Sequence, residues 1–444
     1  MSSTNTHDIL IIGAGIAGLG AAYRLRENDV VVLETNNFAG GRTESRQLGD
    51  YVYNVGAQVI MGDSSPVAQL ADELGVPRTL IKKTRVPLFF HGKLYSARTQ
   101  PGLLNQLPLP IVEKVRFALT NLAIKRHYGQ LVGKNFDPTD PLVGQLNAVT
   151  AQEFLRPASD RMVDLWNTIS TIADGESIDC TTPYHPIMIM LQFLEKEYAV
   201  TGGTHQLTLA MARKLGDRVW TNHRVLSVED KSDRVEVQVN SPSGPRTLYA
   251  GQAILATPGP VTRDLVKGLP VSKLSVLANL EYASQTSAAV LLDVPTRNYL
   301  PDGVWRIPVS GHRSCAITDP SFFYTAEYRD SCGTGILRIY TGDLESRYLQ
   351  SLSREEALER IVEDLDDMFP RIQERIIDSD IRHWPMANVR WRPGHTALIP
   401  KLQTPIGRLH FCGDYTGAGY LNGSLVSGQR AAKEIKTSKG ELCC

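Results

Sequence analysis

The chain has 444 residues, 42% apolar and 21% charged, which argues against a disordered or fibrous protein and exceeds what one hydrophobic core usually holds, so two packed domains are expected. Forty-seven Lys and Arg balance forty-seven Asp and Glu. The net charge therefore offers no long-range attraction to nucleic acid or an anionic surface, and a small-molecule substrate is the default partner.

The chain opens with "ILIIGAGIAGLGAAYRLRENDVVVLE", residues 9–34. Residues 8–12 are apolar and β-branched, the stretch from Ile16 to Arg26 has helical spacing, and the stretch from Val30 to Leu33 is again strand-like. This predicts a βαβ unit with both strands parallel in one sheet. Gly13, Gly15 and Gly18 form G-x-G-x-x-G between strand and helix. The first glycine permits a tight turn, the second lets backbone approach a pyrophosphate, and the third allows close helix–sheet packing. The helix N-terminus then offers free N–H groups to phosphates. Glu34, at the end of the second strand, can accept hydrogen bonds from ribose hydroxyls and repels a 2′-phosphate. An ADP-containing dinucleotide, NAD or FAD, is expected.

The residues before Asp8 are short and polar, unlike a secretory signal, and no window is apolar for long enough to cross a bilayer; a cytoplasmic protein without a membrane span is expected. From Arg78 to about Val200 longer amphipathic segments alternate with proline-rich breaks, which predicts a helical insertion. Its basic segment "IVEKVRFALTNLAIKRHYG" reads as a core helix with a solvated face, and membrane binding is not expected. Strand-like runs resume in "NHRVLSVED", "RVEVQV", "TLYAGQAILATP", "SAAVLLDV" and "GILRIYTG". Ser353 and Glu356 are spaced as a capping box. The segment "RLHFCGDYTGAGYLNGSLVSGQRAAKEI" reads as strand, glycine-rich turn and helix. The six cysteines are scattered and fit reduced thiols, with the terminal pair, Cys443 and Cys444, mobile. No spacing supports a metal site, and no G-x-S-x-G supports a hydrolase.

"TNNFAGGRTES" follows Glu34, and this E-x(5)-G-G-R arrangement resembles the second signature of the flavin amine oxidase and protoporphyrinogen oxidase-like superfamily. "YVYNVGAQVIMG", "VTGGTHQLTLAMARKLG", "NHRVLSVE", "AILATP" and the C-terminal segment resemble further parts of it, over residues 8–62, 200–257 and 400–436. The resemblance implies FAD. It also implies an α/β fold, with a Rossmann-like FAD-binding domain assembled from residues 1–77, 200–270 and 390–444. Residues 78–199 and 271–389 would form an α+β substrate domain, a mixed sheet plus the helical insertion.

On the same resemblance Gly40, Gly41 and Arg42 lie at the phosphate or flavin end, Gly56 and Ala57 lie against the flavin, and the Val225 backbone meets adenine. Gly413 and Asp414 serve the ribityl and phosphate end, and Leu421 is a further cofactor contact. Asn54 stands where an aspartate is common. Tyr420 in "GYLNGS" matches one tyrosine of an aromatic cage before the flavin. For the second ring the nearest match is "RWRPGHTALIP", with Trp391 and His395, so an altered cage is expected. His395 is a candidate base or hydrogen-bond donor, and Trp384 a candidate pocket wall. "RPGH" has no cysteine, so FAD is expected to bind noncovalently, and Ser287 falls where many amine oxidases carry a lysine beside flavin N5.

These features imply an oxidase that moves hydride from a carbon next to nitrogen to the flavin, with oxygen or another electron acceptor completing the cycle. The alternatives are a C–C desaturase or dehydrogenase of an apolar or porphyrinogen-like substrate, and a flavin-assisted isomerase.

Overall fold

A computed structural model describes residues 5–193, 195–438 and 440; Cys443 and Cys444 lie outside the described residues. Two sheets organise the chain. The first has eight strands drawn from residues 6–33, 219–267 and 409–411. The strand Thr6–Ile12 lies at its centre, parallel to Val30–Leu33 on one side and to Gly244–Leu255 on the other. The run "VVVL" is fully buried, as a strand covered on both faces must be. Gly244–Leu255 pairs antiparallel with Val235–Ser241 through its first half, and its last three residues pair parallel with Leu409–Phe411.

The registers bring one end of this sheet into line. Ile12 pairs with Leu33 and with Leu255, and Leu255 pairs with Phe411. The turns that follow at residues 13–15, 34–36, 256–258 and 412–414 therefore leave the sheet from the same carboxyl edge, where open α/β sheets bind ligands. Helices Ile16–Arg24 and Tyr420–Ser438 pack together there, close enough that a Cβ at Gly428 would lie 2.0 Å from Ala17 O.

The second sheet has five strands, with Tyr282–Leu292 between Gly335–Thr341 and Ile376–Val389, and every adjoining pair is antiparallel. Its outer face is covered by helix Arg354–Met368, whose start carries the capping box of Ser353 and Glu356 in both halves. The helical insertion packs its own core, from Leu103 through Trp166 to Leu191, against Trp391, Ile399 and Tyr415.

The helix Ile111–Tyr128 departs from the sequence expectation. Only Ile124 and Tyr128 are buried, while Ile111, Val112, Val115, Leu119 and Leu122 face outward. Most of its aliphatic residues lie on the side away from the core, so this helix is not a core helix.

Candidate active site

The first turn is built as its glycines require. Gly13 takes φ +105°, and a Cβ there would lie 3.0 Å from Ala256 O. At Gly18 a Cβ would lie 2.0 Å from Gly13 O, so only glycine lets the helix approach the strand. At Gly15 a Cβ would meet nothing within 4 Å, which leaves open space in front of the helix N-terminus, and no side chain caps that end. This cradle of open space and uncapped N–H groups fits a pyrophosphate.

Glu34 is buried, and its carboxylate accepts from Ala14 N at 2.9 Å and from Asn36 N and Nδ2 at 2.9 and 2.7 Å. Its backbone carbonyl accepts from His223 N, which brings Val225 on the adjoining strand Arg224–Asp230 into the same neighbourhood. Gly40 and Gly41 adopt φ +137° and +55°, and Gly40 N donates to Ala14 O, which folds the second motif back over the first. Gly56 lies so close to Arg42 that a Cβ would sit 2.0 Å from the Arg42 carbonyl, and Ala57 N donates to that carbonyl.

Arg42 joins the distant segments. Its guanidinium donates to Asp414 Oδ2 at 2.6 Å and to Ala387 O at 2.8 Å, and about a third of the side chain stays accessible. Burial works against its charge, but Asp414 outweighs that and raises its pKa. Asp414 is buried and also accepts from Tyr282 OH, while Gly413 N donates to Ser427 Oγ. Leu421 is half-buried against the core of the first sheet.

Tyr420 has a left-handed backbone, φ +51°, which is strained for a bulky residue, and it is 36% exposed. Its hydroxyl donates to Ala173 O at 2.8 Å and reaches Asp174 Oδ1 at 3.1 Å. Burial, then the charge of Asp174, push the phenol well above its ordinary pKa. Asp174 also accepts from Thr181 Oγ1 and lies 2.8 Å from His185 Nδ1, and His185 Nε2 lies 3.0 Å from Ala418 O. The ring beside Tyr420 is that of His185, edge-on at 4.8 Å.

The two aromatic residues expected opposite Tyr420 sit deeper. Trp391 is fully buried and stacks on Tyr184 at 4.8 Å and on His395 at 4.9 Å. His395 is 5% exposed, its Nε2 has no partner, and burial followed by nearby His185 lowers its pKa to about 4. It is therefore neutral at physiological pH. Trp384 donates from Nε1 to Val55 O at 2.8 Å, which anchors the backbone just before Gly56.

Three further groups join the site whose roles no sequence motif marked. Asn54 is fully buried; its Oδ1 accepts from Ser45 Oγ, Thr204 N and Thr204 Oγ1, and its Nδ2 donates to Gln58 O. Asp174 and His185 lie in the helical insertion, where no motif marks them. Arg338 is 1% exposed on the strand next to Ser287; its Nε donates to Ser287 Oγ at 2.8 Å and its Nη2 lies 3.5 Å from Val55 O and Gly56 O. Its Nη1 has no partner, and it forms no ion pair with a carboxylate among the described residues. Burial lowers its pKa to about 10, so the charge persists at neutral pH. A one-residue alternation in "GILRIYTG" places this arginine in an otherwise apolar strand, the one signal that could have singled it out.

A cavity of about 1290 Å³ lies elsewhere, lined by Glu176, Asp343, Arg390 and Arg392 among others. Arg390 pairs there with Glu176, Glu281 and Asp343, and Arg392 with Glu176 and Glu281, so its charges satisfy one another.

The family described as "Flavin containing amine oxidoreductase" matches residues 16–436. L-amino-acid oxidase of Naja atra is 21% identical over 98% of this chain and 88% of its own length. A structure of wild-type putrescine oxidase bound to putrescine superposes with a TM-score of 0.81 at 20% identity, covering 97% of this chain and 99% of that one. Cyclohexylamine oxidase from Brevibacterium oxydans IH-35A gives a TM-score of 0.79 at 20% identity, covering 98% and 99%. With the match spanning nearly the whole chain, the chain belongs to the flavin-containing amine oxidoreductases and is an FAD-dependent oxidoreductase.

Proposed function

We propose that the chain oxidises a small-molecule substrate at a carbon next to nitrogen, with oxygen as the final electron acceptor. The residues 1–77, 200–270 and 390–444 hold FAD, and 78–199 with 271–389 receive the substrate. Gly13, Gly15 and Gly18 accommodate the pyrophosphate, and Glu34 and the Val225 backbone the adenosine. Gly40, Gly41, Arg42, Gly413 and Asp414 serve the phosphate and ribityl end, and Gly56, Ala57 and Leu421 the ring. FAD supplies a hydride acceptor and a reduced form that reacts with oxygen.

The chain's own contribution is orientation and exclusion of water. The observation that carries the reading is Tyr420, with its ring part-exposed, its backbone strained and its hydroxyl tied to Asp174 and Ala173 O. A phenol fixed at both ends presents one ring face and does not ionise at neutral pH, which suits a wall that guides an uncharged amine. Trp384 holds the Val55–Gly56 backbone in place. Arg338 keeps a positive charge behind that backbone, which favours negative charge developing in front of it.

The test is anaerobic mixing of the FAD-loaded chain with amines, putrescine and cyclohexylamine among them, and with L-amino acids. Bleaching of the flavin absorbance, restored by air with release of hydrogen peroxide, is the expected result. Bleaching confined to substrates without nitrogen would overturn the proposal in favour of C–C desaturation, the reading that Ser287 in place of a lysine supports.

A further inference from the structure

The helix Ile111–Tyr128 presents hydrocarbon outward. Ile111, Val112, Val115, Leu119 and Leu122 are 70, 74, 51, 61 and 63% exposed. At a helical repeat these five side chains fall within one stripe about 100° wide, opposite the side on which Phe117, Ile124 and Tyr128 meet the core. Single exposed aliphatic residues are ordinary, but a contiguous stripe of five marks an interaction surface.

The charges around the stripe choose the partner. Lys114, Arg116, Lys125 and Arg126 lie on this helix, and among the described residues none is paired with a carboxylate; Lys114 Nζ and Arg116 Nη2 rest on the carbonyls of Asn105 and Arg156. The helix has one acid, Glu113, half-buried on the side away from the stripe. A second copy seated on this face in twofold fashion would set Lys125 and Arg126 of one chain against Lys114 and Arg116 of the other, like charge on like. An anionic partner that accepts aliphatic side chains without specific pockets fits better. Among the described residues no helix is long and apolar enough to cross a membrane.

We propose that this helix lies flat in the interface of an anionic lipid bilayer, its aliphatic stripe among the acyl chains and its cations among the headgroups. Attachment is peripheral, reversible and weakened by salt. The proposal stands independently of the redox chemistry.

The experiment is co-sedimentation of the FAD-loaded full chain with vesicles of phosphatidylglycerol and phosphatidylcholine in equal parts, and with vesicles of phosphatidylcholine alone. The chain is expected to partition onto the anionic vesicles and much less onto the neutral ones. Lys125→Gln/Arg126→Gln should lower partition about twenty-five-fold, at roughly fivefold per cation. Leu119→Ser/Leu122→Ser should lower it more than about tenfold. All four positions are exposed, so flavin absorbance and melting temperature should stay at wild-type values in both variants. A chain that stays in the supernatant with anionic vesicles, or double variants that sediment as the wild type does, would overturn the proposal. So would a solution dimer, seen by light scattering, that Leu119→Ser/Leu122→Ser splits, because a second copy would then occupy the face.

Discussion

A methyl group at Gly15 meets open space, whereas at Gly18 it meets the Gly13 carbonyl at 2.0 Å. The two alanine variants should therefore fail differently. Gly15→Ala is expected to leave the melting temperature of the FAD-free protein unchanged and to weaken FAD binding roughly ten- to a hundredfold, read by flavin fluorescence titration. Gly18→Ala should destabilise the FAD-free protein itself by about 3 kcal/mol or more, because backbone rather than a flexible side chain stands in the way. Arg338 allows a second separation. A buried cation with no carboxylate partner among the described residues leaves no stranded charge when replaced, so Arg338→Met should be as stable as wild type or more so, by up to about 4 kcal/mol in urea unfolding. Its turnover should fall about tenfold or more if the charge serves the reaction. Equal turnover would make the arginine dispensable. Tyr420→Phe removes the hydroxyl bonds to Asp174 and Ala173 O, and should cost about 1–2 kcal/mol of stability and lower kcat more than it changes KM.

At the scale of elements, what the sequence made legible was local. The βαβ opening, the helix start at Ser353 and the C-terminal strand–turn–helix each follow from spacing over a few residues. Ser353→Ala should cost about 1 kcal/mol in thermal or urea unfolding and leave FAD affinity unchanged, because this cap lies on the second sheet's outer helix. The helix Ile111–Tyr128 was legible as a helix but not in its orientation. Periodicity shows that an apolar stripe exists, and only the neighbouring elements decide whether anything covers it. Asn54 was likewise visible as a departure from an expected aspartate. Its use is set by Thr204 and Ser45, which approach from other segments: three donors converge on its oxygen, and its amide nitrogen answers the Gln58 carbonyl.

For the whole molecule, the pH dependence of stability should carry the mark of His395. Its pKa in the fold, about 4, is below the ordinary 6.5, so the unfolded chain binds the proton more readily. The stability it contributes is complete above pH 6.5 and is lost as pH falls towards 4, by about 3 kcal/mol in all. Between the two ends of that window wild type should lose about 3 kcal/mol more stability in urea unfolding than His395→Leu does, and parallel pH profiles would rule the assignment out. Legible in the chain's first segment was an ADP-containing dinucleotide, because a glycine turn, a helix N-terminus and an acid at a strand end act through backbone geometry within some twenty-five residues, and the resemblance of further segments narrowed this to FAD. Long-range packing sets which side chains surround Tyr420, that Trp391 and His395 lie in the core, and that Arg338 stands behind Ser287. Those placements depend on contacts between residues from 51 to 247 positions apart, and burial, the quantity that separates a wall from a core residue, is a property of the packed chain rather than of any segment.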